Sequence, residues 1–200
     1  MSAHGPPGRA ALGFNFTAHM RRLCEEIVAR TPRLAHVDLS RMLVAFAQTR
    51  KRSEFGLHAS LTPMRFQGGV LTCRRRGHTY ALQRLFLPQG QEVLYVLTFY
   101  LPRFMDLAFQ EKLVTVFHEL WHISPEFNGD LRRHPGRCYA HTVSQKQYDA
   151  EMAGLVQSWL ATEPPAETYS FLRLSFAELR GSFGRVLGTK ARRPRLLPVD

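Results

Sequence analysis

The sequence has few cysteines, no long hydrophobic run and few acidic residues. Its three cysteines, Cys24, Cys73 and Cys138, are far apart and form no C-x-x-C pair. We therefore expect free thiols rather than a disulfide framework, a zinc ribbon or a thioredoxin-like site. The most apolar stretch, residues 93–101, is about half the length that spans a bilayer, and no signal-peptide pattern is present. These absences predict a soluble protein of the cytoplasm with no membrane partner.

Acidic residues are outnumbered: 27 Lys and Arg stand against 16 Asp and Glu, which gives a formal net charge of +11. Such an excess raises the affinity for polyanions without specifying a sequence. The charge lies in short clusters at 50–52, 74–76, 132–133 and 190–195. None of these clusters is interleaved with aromatic residues that could stack on bases. We therefore expect a solvated basic surface, with non-specific nucleic-acid contact as the alternative.

The rest of the composition is that of an ordinary globular protein, with 44% hydrophobic and 22% charged residues. Residues 1–16 are expected to form a flexible leader, and 17–200 a single domain with a basic C-terminal tail. Apolar residues at helical spacing predict a helix over 17–30, with Thr17 as its cap. Strand-like runs at 42–49, 70–73, 78–87 and 93–101 predict a small, partly antiparallel sheet.

A second helix is predicted from an Asp106 cap to about Ile123, where Ser124 and Pro125 end it. Its apolar residues cover more than one face, so we expect it to be buried against the sheet. A third helix is predicted at about 148–161, and the tail is expected to contain a short helix and a C-terminal strand. The predicted fold class is α+β, with a small mixed sheet packed on the helix over 106–123.

This buried helix carries the motif H-E-x-x-H. His118 and His122 are four residues apart, which places their Cβ atoms about 5–6 Å apart on one face. Both imidazoles can then reach one Zn²⁺ ion. Glu119 projects to another side, where it suits a general base that deprotonates a zinc-bound water. Imidazoles buried without partners would cost free energy, which favours a metal site over two structural histidines.

A catalytic zinc also needs a third protein ligand and one open position. The metzincin continuation is absent, because Pro125 and Asn128 occupy its glycine and histidine positions. The later candidates are Glu126, Asp130, His134, Cys138, His141, Asp149 and Glu151. His141 is favoured, since C-Y-A-H-T is typical of a packed, extended segment. His134, in a Pro-Gly turn, and the acidic residues at 149 and 151 remain alternatives.

Three charged residues after the motif could also take part in the site. Asp130 could orient a ligand histidine through its second ring N–H, although a role within a turn is equally expected. Arg132 and Arg133 could polarise a substrate carbonyl, but a solvated loop is the favoured interpretation.

The run H-E-L-W-H-I-S-P-E-F-N-G-D-L-R-R, followed by Y-A-H-T-V-S-Q-K-Q-Y-D, resembles the phage-type metallopeptidases, which are small zincin-like proteins. It is more distantly similar to the SprT-like zincins. The resemblance covers about residues 95–150. It implies a zincin-like fold in which His118, His122 and His141 bind zinc and Glu119 is the base. The nucleic-acid-binding extension of some SprT-like proteins has no counterpart here, so cleavage of DNA–protein crosslinks is not implied.

Two functions are consistent with these features. The first is a zinc-dependent metallopeptidase that hydrolyses a peptide or protein substrate. The second is a non-catalytic, metal-stabilised module that binds nucleic acid through its basic clusters. Glu119 favours the first, because a purely structural metal site has no use for a carboxylate beside an open position.

Overall fold

The computed structural model describes residues 13–48, 56–133 and 145–199, with residues 145–149 described as backbone only. The described helices are α1 (Phe16–Arg30), α2 (Phe109–Trp121), α3 (Gln145–Leu160) and α4 (Phe176–Phe183). The described strands are β1 (Phe14–Asn15), β2 (Met42–Gln48), β3 (Ala59–Pro63), β4 (Thr72–Arg75), β5 (His78–Leu82), β6 (Tyr95–Leu101), β7 (Val186–Leu187) and β8 (Leu196–Pro198). The fold is therefore α+β, as predicted.

The main sheet has the strand order β2-β6-β3, with β2 parallel and β3 antiparallel to the central β6. Alternate side chains of β6 point to opposite faces. Tyr95, Leu97 and Phe99 join the large core, whereas Val96 joins a small cluster on the other face. Burial on both faces explains why β6 reads as a continuous apolar run.

One hydrophobic core unites the main sheet with the helices. Its members extend along the chain from Phe14 to Leu179 and include buried residues of α1, β2, β6, α2, α3 and α4. Phe117 of α2 lies edge-on to Trp159 of α3, with ring centroids 6.1 Å apart. The predicted burial of the motif-bearing helix is thus confirmed. Within the described residues, no helix has the length and apolarity needed to cross a membrane.

A second sheet differs from the prediction of one small sheet. The order β4-β5-β8 is antiparallel throughout, and β8 comes from the C-terminal tail. Its pairing with β5 joins residues more than 100 positions apart, so no local pattern could reveal it. The predicted tail helix and strand are confirmed as α4 and β8.

The N-terminal boundary also differs. Phe14 and Phe16, inside the predicted leader, are buried, and β1 pairs in parallel with β7. The cap of α1 is Asn15, whose side-chain oxygen accepts a hydrogen bond from the N–H of Ala18 at 3.1 Å. Thr17 instead accepts a hydrogen bond from the N–H of Thr189 at 3.0 Å. The prediction of Thr17 as the helix cap is therefore wrong, and the Thr17 hydroxyl connects α1 to the C-terminal segment.

The predicted Asp106 cap is likewise wrong. Helix α2 begins three residues later with Ala108 at its cap position, and the Glu111 carboxylate accepts a hydrogen bond from the Ala108 N–H at 3.0 Å. The Asp106 carboxylate accepts one from the N–H of Phe176, at the start of α4, at 3.0 Å. Asp106 therefore stabilises the N-terminus of a different helix, which is distant in sequence.

Lys112 connects α2 to the C-terminal third of the chain. Its side chain is buried, and its ammonium donates hydrogen bonds to the carbonyls of Leu172 at 2.9 Å and Leu174 at 2.8 Å. Burial lowers the pKa of Lys112, while the nearby carboxylates of Asp106 and Glu178 act in the opposite direction. A buried ammonium needs such acceptors, so this contact fixes the 170–174 segment against α2.

Candidate active site

The histidine pair lies in the last turn of α2. His118 and His122 are half-buried, and their ring centroids are 4.6 Å apart with the ring planes at 80°. His122 is the C-cap residue, and its N–H donates to the carbonyl of His118 at 3.3 Å. The structure thus brings both predicted ligands to one face at the end of a buried helix.

Glu119 lies on a different side of the same turn, against the outer edge of β3. His58 and Met64 flank β3 on its two sides. From His58 to Met64, every second residue is hydrogen-bonded to the segment that contains β6. The intervening residues, including Leu61, direct their N–H groups to the opposite edge. There the Leu61 N–H faces the Glu119 carboxylate and acts to lower its pKa. Glu119 therefore lies between α2 and the backbone of a neighbouring strand.

The Glu119 side chain is 8% exposed, and its protonation reflects this burial. Burial raises the pKa of Glu119 to about 7, while the hydrogen bond from Leu61 acts in the opposite direction. Loss of solvation disfavours the charged carboxylate. A bound dication would favour it, so the value applies to the metal-free protein. A carboxyl group that titrates near neutral pH is suited to proton transfer.

The segment after α2 folds back on the histidine turn. Ile123 and Leu131 form an antiparallel bridge, and the N–H of Arg132 donates to the carbonyl of His122 at 2.7 Å. Gly129 has φ of +87°, and a Cβ there would lie 2.5 Å from Cγ of Arg65. This tight return fixes the backbone immediately after the second predicted ligand.

Asp130 holds the turn together. Its carboxylate accepts hydrogen bonds from the N–H groups of Gly68 and Leu131 and two from the Arg133 guanidinium, all at 2.8–2.9 Å. Burial acts to raise the pKa of Asp130, but these donors lower it below its usual range. The buried Tyr95 hydroxyl donates to the Asp130 carbonyl at 2.7 Å. Of the two expected roles, these contacts support the role within the turn.

Trp121, inside the motif, lies between two guanidinium groups. The guanidinium carbon of Arg132 is 4.1 Å from the ring centroid and that of Arg33 is 4.3 Å away. Arg132 Nε also donates to the Trp121 carbonyl at 2.7 Å. Arg132 is therefore a structural contact that stabilises the C-terminal end of α2, and not a solvated loop residue.

The third-ligand candidates divide into three groups. His134, Cys138 and His141 lie outside the described residues, and Asp149 is described only as backbone in α3. Glu151 forms a surface ion pair with Arg33 at 2.8 Å, and Glu126 is exposed. In the described parts of the chain, no three His, Cys, Asp or Glu side chains are grouped to hold a metal ion. The assignment of His141 stays a prediction.

The donor chemistry at the end of α2 fits part of a zinc site. Two imidazoles on one helical face are preferred Zn²⁺ ligands, and a nearby buried carboxylate that is not a ligand is characteristic of a catalytic centre. Three-ligand catalytic coordination additionally requires a group from outside the described residues. If zinc binds here, His118 and His122 would supply two of the three expected protein ligands.

A cleft of about 380 Å³ lies along the earlier turns of α2. It is lined by His58, Leu107, Gln110, Glu111, Val114 and Thr115. Val114 is one turn before His118, on the same side of α2, and His58 immediately precedes β3. The cleft therefore ends one helical turn before the histidine pair, on the same side of α2. No sequence pattern indicated this cleft, because its lining combines two distant segments.

A scan against protein-family models gave no match to this chain, and searches among curated proteins and among solved structures gave none either.

Proposed function

We propose that the protein is a zinc-dependent metallopeptidase with a zincin-like arrangement of helix and sheet. The observation that carries the proposal is the Glu119 carboxylate, buried beside β3 at the same helical turn as the adjacent His118 and His122 rings. His118 and His122 would hold the metal, with His141 as the proposed third ligand. A bound zinc ion supplies Lewis acidity, which polarises a carbonyl and lowers the pKa of a bound water to about 7.

The chain's own residues perform the proton transfers. Glu119 accepts a proton from the attacking water and delivers it to the departing amine. The carboxylate lies beside the Leu61 N–H, which favours its charged form between these two steps. Because one group performs both proton transfers, the position of Glu119 matters as much as its pKa.

The cleft provides a binding site for a substrate side chain. Leu107 and Val114 contribute apolar surface, while Gln110 and Glu111 contribute polar groups. A substrate bound there would extend its backbone along the outer edge of β3 towards the Glu119 turn. The proposed substrate is therefore an extended, unstructured stretch of polypeptide.

The test compares Glu119→Gln with Glu167→Gln, which makes the same chemical change at an exposed position. Both variants should bind zinc as the wild type does, because neither carboxylate is a ligand. Casein hydrolysis should fall by roughly 10²–10⁴-fold in Glu119→Gln alone. Equal hydrolysis by the two variants, or none by the zinc-loaded wild type, would contradict the proposal.

A further inference from the structure

The excess positive charge is concentrated around the second sheet. Residues 66–91 and 184–199 contain no Asp or Glu, and together they contain nine Lys and Arg. They therefore account for nine of the net eleven positive charges of the chain. These two stretches include all three strands of the β4-β5-β8 sheet. Strand pairing thus gathers charges that appear as separate clusters in the sequence.

Six exposed arginines form two groups on this sheet, which we call the basic sheet. They are Arg74, Arg75 and Arg76 in the first group, and Arg192, Arg193 and Arg195 in the second. Within the described ranges, none of the six has a carboxylate partner. The nearby Arg84 differs, since it forms two hydrogen bonds with Glu92. The six charges are therefore available to an external anion.

The two groups lie at opposite ends of β5. Arg75 pairs with His78 at the first residue of the strand, and the Arg195 carbonyl accepts from the N–H of Gln83 just beyond its last residue. Five residues of extended chain separate these positions by about 17 Å. A ligand that contacts both groups must carry negative charge along its length.

The face of the sheet that carries Arg75 is apolar and aromatic between the ends of β5, whereas Arg74 and Arg195 alternate onto the other face. Tyr80 is paired with Cys73 on one side and Pro198 on the other. Directly paired residues share one face of a sheet, and His78, two residues from Tyr80, lies on that face with its ring 6.5 Å away. Leu196 on the same face is 39% exposed. Cross-strand pairing therefore supplies the aromatic surface that the basic clusters lack in the linear sequence.

We propose that the basic sheet binds single-stranded nucleic acid. The nucleic-acid strand crosses both ends of β5, so that its phosphates contact the arginines there, and one or more bases stack on Tyr80 between them. A protein that neutralises phosphates releases counterions, and an aromatic side chain on a sheet stacks with any base. A duplex hides its base faces, so an aromatic platform of this kind favours a single strand. The inference does not depend on the metal site or on peptidase activity.

The first test measures binding of a fluorescent oligothymidine of about 20 nucleotides, longer than the roughly 4–16 nucleotides that one small β-module covers. The full chain is compared with R74Q/R75Q and R193Q/R195Q. Arg76 is left unchanged because its φ is +50°. The control, R22Q/R180Q, removes two exposed arginines from α1 and α4. Each sheet variant should weaken binding at least about tenfold and reduce the slope of log K against log salt by about 1.4, or 0.7 per lost phosphate contact.

The second test separates nucleic acid from other polyanions. Tyr80→Leu should weaken oligothymidine binding by about fivefold or more and leave heparin binding unchanged, because heparin has no bases. Circular dichroism establishes that each variant is folded. The proposal is overturned if the control loses as much affinity as the sheet variants. It is also overturned if a folded Tyr80→Leu variant retains full affinity for the oligonucleotide, since the surface then binds polyanions through charge alone.

Discussion

The N–H of Leu61 faces the carboxylate of Glu119, at the point where the outer edge of β3 meets the helix that carries the histidine pair. This backbone group acts to lower the pKa of Glu119, but its effect is smaller than that of burial. Burial therefore dominates its titration and raises its pKa to about 7.

The metal-free protein should lose stability as the pH rises past Glu119. The usual value of 4.5 applies to the unfolded chain, so between about pH 4.5 and 7 the unfolded state releases this proton first. The free energy of unfolding should fall across that window by up to about 3 kcal/mol, since one pKa unit corresponds to about 1.4 kcal/mol. Glu119→Gln should remove this loss. Urea unfolding at pH 5 and pH 8, in the presence of a chelator, measures this loss of stability. An identical pH dependence in wild type and variant would show that Glu119 is not its cause.

Zinc binding should depend on His141 more than on His134. The loss of a direct ligand should lower zinc affinity by more than the roughly 10–100-fold that follows loss of a supporting contact. We expect that effect from His118→Ala, His122→Ala and His141→Ala. His58→Ala, which alters the cleft, should retain zinc. Competition with a chromogenic chelator measures the affinities, and a loss in His134→Ala with none in His141→Ala would transfer the third-ligand assignment to His134.

Filling the cleft should change substrate binding without changing the metal site. Val114→Phe places a larger side chain in the cleft, one turn from His118. We expect KM for substrates with large side chains to rise about tenfold or more, because binding there is sterically restricted, with zinc content unchanged. Val70→Phe is the matched control, because Val70 is 51% exposed. The same change in KM in both variants would show that the cleft does not receive substrate.

Glu92 should contribute stability that disappears in acid. The hydrogen bond from Arg84 is the main cause that lowers its pKa to about 2, with a further contribution from Arg65 against the effect of burial. The folded state therefore holds this proton less tightly than the unfolded state, so the contribution is present above about pH 4.5 and is lost as the pH falls towards 2. Glu92→Gln should cost about 1 kcal/mol at pH 7, because Arg84 is half exposed and solvent screens the pair. Thermal unfolding of wild type and variant should converge near pH 2, and an equal difference at both pH values would contradict this origin.

The sequence predicted the elements whose patterns are local. The apolar runs of β2 and β6 follow from their burial, and so do the apolar residues on all sides of α2. Buried segments need apolar residues, so the local sequence is sufficient to predict them. Asp106 was misassigned because its partner is the N–H of Phe176, and the partner of an Asp cannot be read from its immediate neighbours. The same reason explains the second sheet, where β8 pairs with β5 across the chain.

The candidate site shows the same division. The spacing of His118 and His122 follows from helical geometry alone, so the sequence was sufficient to place both rings together. The position of Glu119 also depends on a main-chain N–H in β3, which has no side-chain signature. Arg132 was interpreted as a loop residue because its stacking on Trp121 requires the chain to return after Gly129.

The pairing of β1 with β7 has a consequence for synthesis of the chain. The N–H of Phe14 bonds to the carbonyl of Arg185 at 2.8 Å, so Phe14 leaves the ribosome long before its partner, which is translated more than 170 residues later. Contacts between such distant residues form slowly, because a large loop must close before they contribute. At synthesis rates of roughly 5–20 residues per second, the nascent chain must wait on the order of ten seconds with this aromatic residue unpaired. Early release of a shortened chain would leave Phe14 exposed, and with it a hydrophobic surface that chaperones bind.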